Sequence, residues 1–267
     1  MYHQHRVSVI IPALNEEKSI GLVIADLFEL KNEHHLQLID EIIVCDNGSS
    51  DQTNSIATSA GAKLIYEPIP GYGRACIQAL KEIEQTDIIL FIDADHAFYA
   101  HQAIPLIHSI HEGADLAIGS RTLGTINKGA LTQPQLLGNQ LATVLIKLIW
   151  HKTVSDLGPF RAIRKEALDK LKMQDRTFGW TIEMQIKAIQ KNMRTIELPV
   201  DTRCRIGTSK ISGTLTGTIG AGVGILSMIA KLWWQGIVNT QSRVQPNHQF
   251  QNNTLQAIQL KETRKQI

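Results

Sequence analysis

Two aspartates separated by one residue, Asp93-Ala94-Asp95, follow the apolar run Ile88 to Ile92. Carboxylates at i and i+2 just past a buried strand can offer hard oxygen ligands to Mg²⁺ or Mn²⁺, and such ions bridge the oxygens of a diphosphate. The same pair could instead cap the helix that follows, so its neighbours have to decide. A second acidic cluster, Asp46-Asn47-Gly48-Ser49-Ser50-Asp51-Gln52-Thr53, follows another apolar run. A carboxylate ending a buried strand is costly unless paired, so Asp46 is expected to accept hydrogen bonds from a base or ribose. Asp51 or Ser50 is expected to cap the next helix.

Elements that could hold these clusters alternate along the chain. Val7 to Ile11 is a β-branched run ended by Pro12, as a strand buried on both faces reads. Ser19 to Leu30 places Ile20, Val23, Ile24 and Leu27 at helical spacing, and Glu41 to Cys45 is the next strand. Helices over 50–60 and 73–83 then alternate with strands over 62–66 and 88–92. This is the pattern of an α/β fold with a mostly parallel central sheet and flanking helices. In open sheets of that kind ligands sit beyond the carboxyl ends of the strands, where Asn15-Glu16-Glu17, Asp46-Asn47-Gly48 and Asp93-Ala94-Asp95 all fall.

Later segments add a strand from Leu116 ending in Gly119-Ser120-Arg121, an apolar helix over Leu136 to Trp150, a helix over Thr181 to Lys191 and a strand over Thr195 to Val200. Leu215 to Val238 carries one charge, Lys231, but its glycines and threonines make it a poor membrane span, so an interfacial or docking helix is expected. Domain boundaries are placed at 1–213 for the catalytic domain, 214–238 for this amphipathic helix and 239–267 for a polar, Gln- and Asn-rich, mostly disordered tail.

A formal net charge of +2, with 19% charged and 43% hydrophobic residues, suits a globular protein and gives no reason to expect nucleic acid as a partner. Cys45, Cys76 and Cys204 form no CxxC pair and no disulfide framework. The amino terminus runs from Met1-Tyr2-His3-Gln4-His5-Arg6 straight into a strand, with no apolar signal region, so a cytoplasmic location is expected.

Taken together, Ile11-Pro12-Ala13-Leu14-Asn15-Glu16-Glu17, the Asp46 to Thr53 cluster, Gly71-Tyr72-Gly73 and Asp93-Ala94-Asp95 resemble, in order and spacing, family 2 glycosyltransferases with the Rossmann-like GT-A fold. Gly119-Ser120-Arg121, Ser155 to Arg161 and Arg205 to Lys210 look like the dolichyl-phosphate mannosyltransferase branch, so the resemblance covers about residues 6 to 213. It implies that Pro12, Leu14, Glu16, Val44 and Asp46 hold the nucleoside of a nucleotide-sugar donor. It also implies that Asp93, Ala94 and Asp95 meet metal and diphosphate, and that Arg121, Arg205 and Lys210 bring positive charge to phosphates. Glu183, in Phe178-Gly179-Trp180-Thr181-Ile182-Glu183, resembles the family's acidic residue near the acceptor and is the candidate base. Asp156 is a second catalytic candidate that could instead orient Arg161, and Trp180 could stack on a sugar or pack in the core. Leu14 stands where relatives often carry Tyr, and Ala97 where some carry a further metal ligand, which leaves His96 as a partial substitute.

The expectation is therefore a metal-dependent, inverting transferase that moves a hexose from a UDP- or GDP-sugar to a polyprenyl phosphate or other membrane-associated acceptor. It would sit peripherally at the inner face of the cytoplasmic membrane, its apolar helices meeting lipid, each other or a second copy in a homo-oligomer. The alternatives are a sugar nucleotidyltransferase, whose Gly-rich basic first loop is not found here, and a non-catalytic docking protein, which would not need the acidic pair.

Overall fold

The computed structural model describes residues 2–32, 34–207 and 215–244. In chain order the elements are β1 (Val7–Ala13), α1 (Ile20–Phe28), β2 (Glu41–Asp46), α2 (Thr53–Ser59), β3 (Lys63–Tyr66), α3 (Tyr72–Lys81), β4 (Ile88–Phe91) and α4 (Ala103–His111). They continue with β5 (Leu116–Ser120), α5 (Gln133–Trp150), β6 (Arg161–Arg164), α6 (Lys165–Leu171), α7 (Trp180–Gln190), β7 (Thr195–Pro199) and α8 (Leu215–Val244). The strands form one sheet in the order β3-β2-β1-β4-β6-β5-β7. Only β6 runs against its neighbours, pairing antiparallel with both β4 and β5, whereas β1, β2, β3 and β4 pair in parallel and β7 is parallel to β5.

Strand alternation explains the layers. Val7, Val9, Ile11, Ile42 and Val44 face one side, where Ile20, Val23, Ile24 and Leu27 of α1 and Leu106, Ile107 and Ile110 of α4 close a core. Ile10, Ile43, Cys45, Phe91, Ile118 and Ile163 face the other, against Ala75, Cys76 and Ala79 of α3, Leu168 and Leu171 of α6 and Met184 of α7. Burial of each such aliphatic side chain contributes about 1.5–3 kcal/mol. Parallel register levels the carboxyl ends: Ala13 pairs with Asp46 and Asp46 with Tyr66, so the loops after β1, β2 and β3 leave the sheet together.

Several boundaries differ from the sequence expectation. β1 passes Pro12 and ends at Ala13, whose carbonyl still accepts from Asn47 N at 2.8 Å. α5 starts at Gln133 because Thr132 and Gln135 form a capping box with a proline in the first turn. α4, β6 and α6 were not anticipated; Pro105 in the first turn of α4 hides its helical period, and β6 is only four residues long. α8 continues through Asn239 to Val244, into the stretch expected as tail, and the rest of that stretch lies outside the described residues. The described residues divide into two compact units, the first ending at Ala230 and the second beginning at Lys231. Among the described residues no helix is long and apolar enough to cross a membrane.

The start of α3 is held by an unusually close backbone approach. Gly73 N donates to Thr177 O at 3.0 Å and Arg74 N to Arg176 O at 3.1 Å. A Cβ at Gly73 would lie 2.2 Å from Asp175 O, and one at Gly71, whose φ is +151°, 2.2 Å from Arg176 O. Gly73→Ala should therefore cost about 1–3 kcal/mol, read as a lower urea midpoint with an unchanged slope. An unchanged midpoint would mean that 173–177 does not seat on α3.

Candidate active site

The loops after β1 and β2 are stitched into one rim. Asn15, at φ +53°, donates its N–H to Ser49 Oγ at 2.8 Å and accepts from Ser50 N at 2.8 Å through Oδ1. Glu16 N donates to Thr53 Oγ1 at 2.8 Å, Glu17 N to Asp51 Oδ2 at 3.2 Å and Thr53 N to Asp51 Oδ1 at 3.0 Å. Asp51 thus ties the two loops as well as the start of α2. Asn47 holds the third loop: its amide donates to the carbonyls of Glu67 and Ile69 at 2.9 and 2.8 Å, and its oxygen accepts from Gly71 N at 2.7 Å.

Under this rim lies a cavity of about 210 Å³ lined by Pro12, Leu14, Glu16, Asn47, Gly71 and Tyr72, with Asp93, Ala94, Asp95 and Arg205 at its inner end. A larger cavity of about 360 Å³ lies between α5, the 157–159 loop and the first half of α8, lined by Arg121, Asn139, Leu157, Pro159, Gly222 and Ile225 among others. The two share Tyr72, Asp93, Asp95, Phe178 and Arg205, so the acidic pair stands where they meet.

Charge at that junction is closely balanced. Asp93 accepts from the Tyr72 hydroxyl at 3.1 Å, and Asp95 accepts from Ala97 N at 3.0 Å through one oxygen and from the Arg205 guanidinium through the other. Desolvation at the cavity floor, with the Asp95 carboxylate beside it, pushes the Asp93 pKa up to about 7, although Arg205 and Arg121 pull the other way. Arg121 is aimed into the larger cavity by the fully buried Asp156, which accepts from its Nε at 2.8 Å, its Nη2 at 2.7 Å and its backbone N at 2.8 Å. The bidentate fork fixes the guanidinium plane. Two carboxylates offering oxygen to a cavity form a donor set that fits Mg²⁺ or Mn²⁺. Among the described residues no His, Cys, Asp or Glu completes a group of three with them.

The structure brings Pro12, Leu14, Glu16, Asp93, Ala94, Asp95 and Arg205 around the smaller cavity and Arg121 onto the larger one. Other expected positions have different surroundings. Val44 is fully buried on the α1 and α4 side of the sheet and lines neither cavity. Asp46 is also fully buried and lines neither cavity; its carboxylate accepts from Ser49 N at 3.1 Å, closing a turn. Glu183 is buried, accepts from Gln174 N at 3.1 Å and Asp175 N at 2.7 Å, and pairs with Lys187 at 2.7 Å, so its carboxylate is spent on the 173–177 segment. Asp156 positions Arg121 and does not orient Arg161, whose buried guanidinium donates to the carbonyls of Leu157, Gly158 and Thr181. Trp180 packs in the core edge-on to Phe91, with ring centroids 6.0 Å apart. His96 turns from the acidic pair to Asp26 Oδ2, 2.8 Å away. Lys210 lies outside the described residues.

Tyr72, Phe178 and Asn139 line the cavities without having been singled out as ligands. Tyr72 sits in the Gly71-Tyr72-Gly73 stretch that carries part of the family resemblance, and that stretch was the available signal. Phe178 opens the stretch read for Glu183, and Asn139 belongs to an apolar stretch that carries no local mark of a site.

Comparisons with known proteins agree with this geometry. A family model described as glycosyl transferase family 2 matches residues 8–172. An uncharacterized glycosyltransferase of Mycobacterium tuberculosis is 33% identical over 216 residues, covering 80% of this chain and 93% of that protein. A dolichyl-phosphate hexose transferase of Haloferax volcanii is 29% identical over 211 residues, covering 77% and 86%. Among solved structures, glucosyl-3-phosphoglycerate synthase from M. tuberculosis in complex with UDP superposes with a TM-score of 0.69 at 21% identity, over 86% of this chain and 81% of that one. Another structure of that synthase, bound to Mn²⁺, UDP and phosphoglyceric acid, has a TM-score of 0.67 at 21% identity over 86% and 79%.

A mostly parallel sheet with an acidic pair past β4, in this company, defines a glycosyltransferase of the GT-A fold. The chain belongs to glycosyl transferase family 2.

Glu183→Gln separates a supporting role from a catalytic one. Leaving Lys187 unpaired and the 173–177 amides with a weaker acceptor should cost about 3 kcal/mol. The folded fraction should keep kcat within about tenfold, since loss of a general base lowers it by roughly 10²–10⁴. A fall of that larger size with stability unchanged would return Glu183 to catalysis.

Proposed function

We propose that this enzyme transfers a hexose from a nucleoside diphosphate sugar to a polyprenyl phosphate at a membrane surface. The observation that carries the reading is the junction of two cavities at Asp93, Asp95 and Arg205, with the larger one holding a fixed arginine but no carboxylate beyond the acidic pair among the described residues. The smaller cavity takes the nucleoside against Pro12, Leu14 and Glu16, which leaves the diphosphate at the acidic pair. The larger takes the acceptor, with Arg121 on its phosphate.

A hydroxyl acceptor needs a base to take its proton. A phosphate is already ionised, so a cavity whose polar lining, beyond the shared Tyr72, Asp93, Asp95 and Arg205, is Arg121, Thr132, Gln135, Asn139, Thr181 and Thr202 suits it. In the reaction an acceptor phosphate oxygen attacks the anomeric carbon from the face opposite the leaving group. The new carbon–oxygen bond forms as the bond to the donor phosphate breaks, and the nucleoside diphosphate departs with the electron pair. A divalent ion held by Asp93 and Asp95 would neutralise charge on that leaving group. Arg205, lining both cavities, would add its own charge there, and Arg121 holds the acceptor phosphate in line.

The membrane part rests on α5. It buries Ala142 and Ile146 and leaves Leu137, Leu141, Val144 and Leu148 exposed at 64, 49, 46 and 66%. These four recur at i, i+4, i+7 and i+11, one stripe of the helix, while Gln135, Gly138 and Asn139 of the same helix line the larger cavity. A helix lying in the lipid interface through that stripe would bring the cavity to the phosphate of an embedded polyprenyl chain.

Calorimetric titration with UDP and GDP, each with and without Mn²⁺, should give metal-dependent binding of one nucleotide that the Asp93→Asn/Asp95→Asn variant loses; no binding of either would overturn the donor reading. Product assays with polyprenyl phosphate and with a soluble phosphorylated acceptor such as phosphoglycerate should favour the lipid, and transfer to the soluble acceptor alone would overturn the acceptor reading. Leu141→Glu/Leu148→Glu, at exposed positions, should keep the melting temperature and lower the fraction that floats with phospholipid vesicles. Undiminished flotation would remove α5 from the lipid interface.

A further inference from the structure

We infer that Arg205 is an internal stand-in for the divalent ion: its guanidinium holds Asp95 until metal and nucleotide arrive together, and its transfer from Asp95 to the diphosphate couples the two binding events. The inference rests on the metal and donor reading above.

Four observations lead to it. The Arg205 guanidinium contacts Asp95 Oδ2, an oxygen of the pair read as the metal site. The segment carrying it is clamped to the acidic loop by backbone: Ile206 N donates to Asp95 O at 2.9 Å and Arg203 N to Ala97 O at 3.0 Å. Arg203 adds a bond from Nε to His96 O at 2.8 Å, and its guanidinium lies 4.5 Å over the Tyr99 ring. Finally, Arg205 Nε is buried without a hydrogen-bond partner among the described residues, although Arg205 lines both cavities. A buried N–H of a charged group left unpaired is expensive, which marks the present position of this guanidinium as one that a further oxygen would improve.

Two carboxylates at this spacing need positive charge, and Arg205 supplies it. A metal ion that takes Asp95 Oδ2 as ligand and an arginine that donates to the same oxygen exclude one another at contact distance. Metal alone must therefore displace the guanidinium from that oxygen, and of the other carboxylates lining the two cavities among the described residues, Asp93 is taken by the same ion and Glu16 already accepts from Ser19 Oγ at 3.1 Å. With the nucleotide present, the displaced guanidinium gains phosphate oxygens, while the backbone clamp at Ile206 and Arg203 keeps it at the junction. Each ligand thus removes the obstacle to the other, and linkage makes the effect reciprocal.

The test is Mn²⁺ binding followed by electron paramagnetic resonance of the free ion, with no turnover required, in wild type and Arg205→Gln, each with and without the nucleotide that binds wild type. Arg205 is partly exposed, so the variant should fold, and its melting temperature checks this. Wild type should bind Mn²⁺ weakly alone and much more tightly with nucleotide. Arg205→Gln should bind Mn²⁺ alone about tenfold more tightly than wild type and gain less from nucleotide, within the usual range of coupling between sites. Metal-alone affinity that is unchanged or weaker in Arg205→Gln, while wild type shows nucleotide-dependent binding, overturns the inference and leaves the metal reading standing. Wild type that takes no Mn²⁺ even with nucleotide overturns both.

Discussion

Asp93 and Asp95 sit two residues apart at the end of a buried strand, and two carboxylates at that spacing repel one another unless positive charge comes close. Much of the surrounding structure answers that requirement. Arg205 reaches Asp95 from a segment that follows the last strand, Arg121 approaches from the end of β5, and the Tyr72 hydroxyl donates to Asp93 from the start of α3. Three distant stretches of chain converge on one acidic pair, and the sheet order explains how. β4, which carries the pair, lies at the centre, between β1 on one side and β6 and β5 on the other.

Each of these partners is itself held from behind. Arg121 is gripped by the fully buried Asp156 through a two-pronged fork, the one ion pair Asp156 makes among the described residues. Tyr72 is placed by the approach of Gly71 and Gly73 to the 175–176 backbone, which works only because neither has a side chain there. That segment is in turn tied by the Glu183 carboxylate to α7. Glu183 and Asp156 are thus the two acids one layer behind the cavities. Their burial with partners is what lets the first layer stay rigid while it faces an open space.

The sequence made the frame legible and left the side-chain directions hidden. Strands β1 to β4 and the position of Asp93 and Asp95 follow from apolar runs that end in polar clusters, a signal that depends only on local period. The antiparallel β6 could not be found that way, because a four-residue strand sandwiched between β4 and β5 is defined by its neighbours and not by its own pattern. The protein partners of Asp46 and Glu183 were hidden for one shared reason. Each is a buried acid beside a site, and whether it faces a ligand or a backbone amide is a tertiary fact. Asp46 lies three residues before Ser49, the spacing of a side-chain turn, so that local alternative was visible in the chain. For Glu183 the amide partners lie eight and nine residues upstream, with Lys187 one helical turn on, and only the ion pair had a local signature.

The apolar residues of α5 carry the same lesson in reverse. A run from Leu136 to Trp150 reads as a buried or lipid-facing helix on hydropathy alone, yet the fold buries only Ala142 and Ile146 of it. Exposing four large aliphatic side chains in one stripe forgoes several kcal/mol of available burial, and a soluble acceptor would give no return for it. The cost makes sense if the stripe is covered when the enzyme works, and its neighbour on the same helix is the cavity that holds Arg121. A polyprenyl phosphate joins an apolar chain to an anionic head, and α5 beside Arg121 presents an apolar surface next to a fixed cation. The acceptor reading therefore draws on the same helix twice, once for what it exposes and once for what it lines.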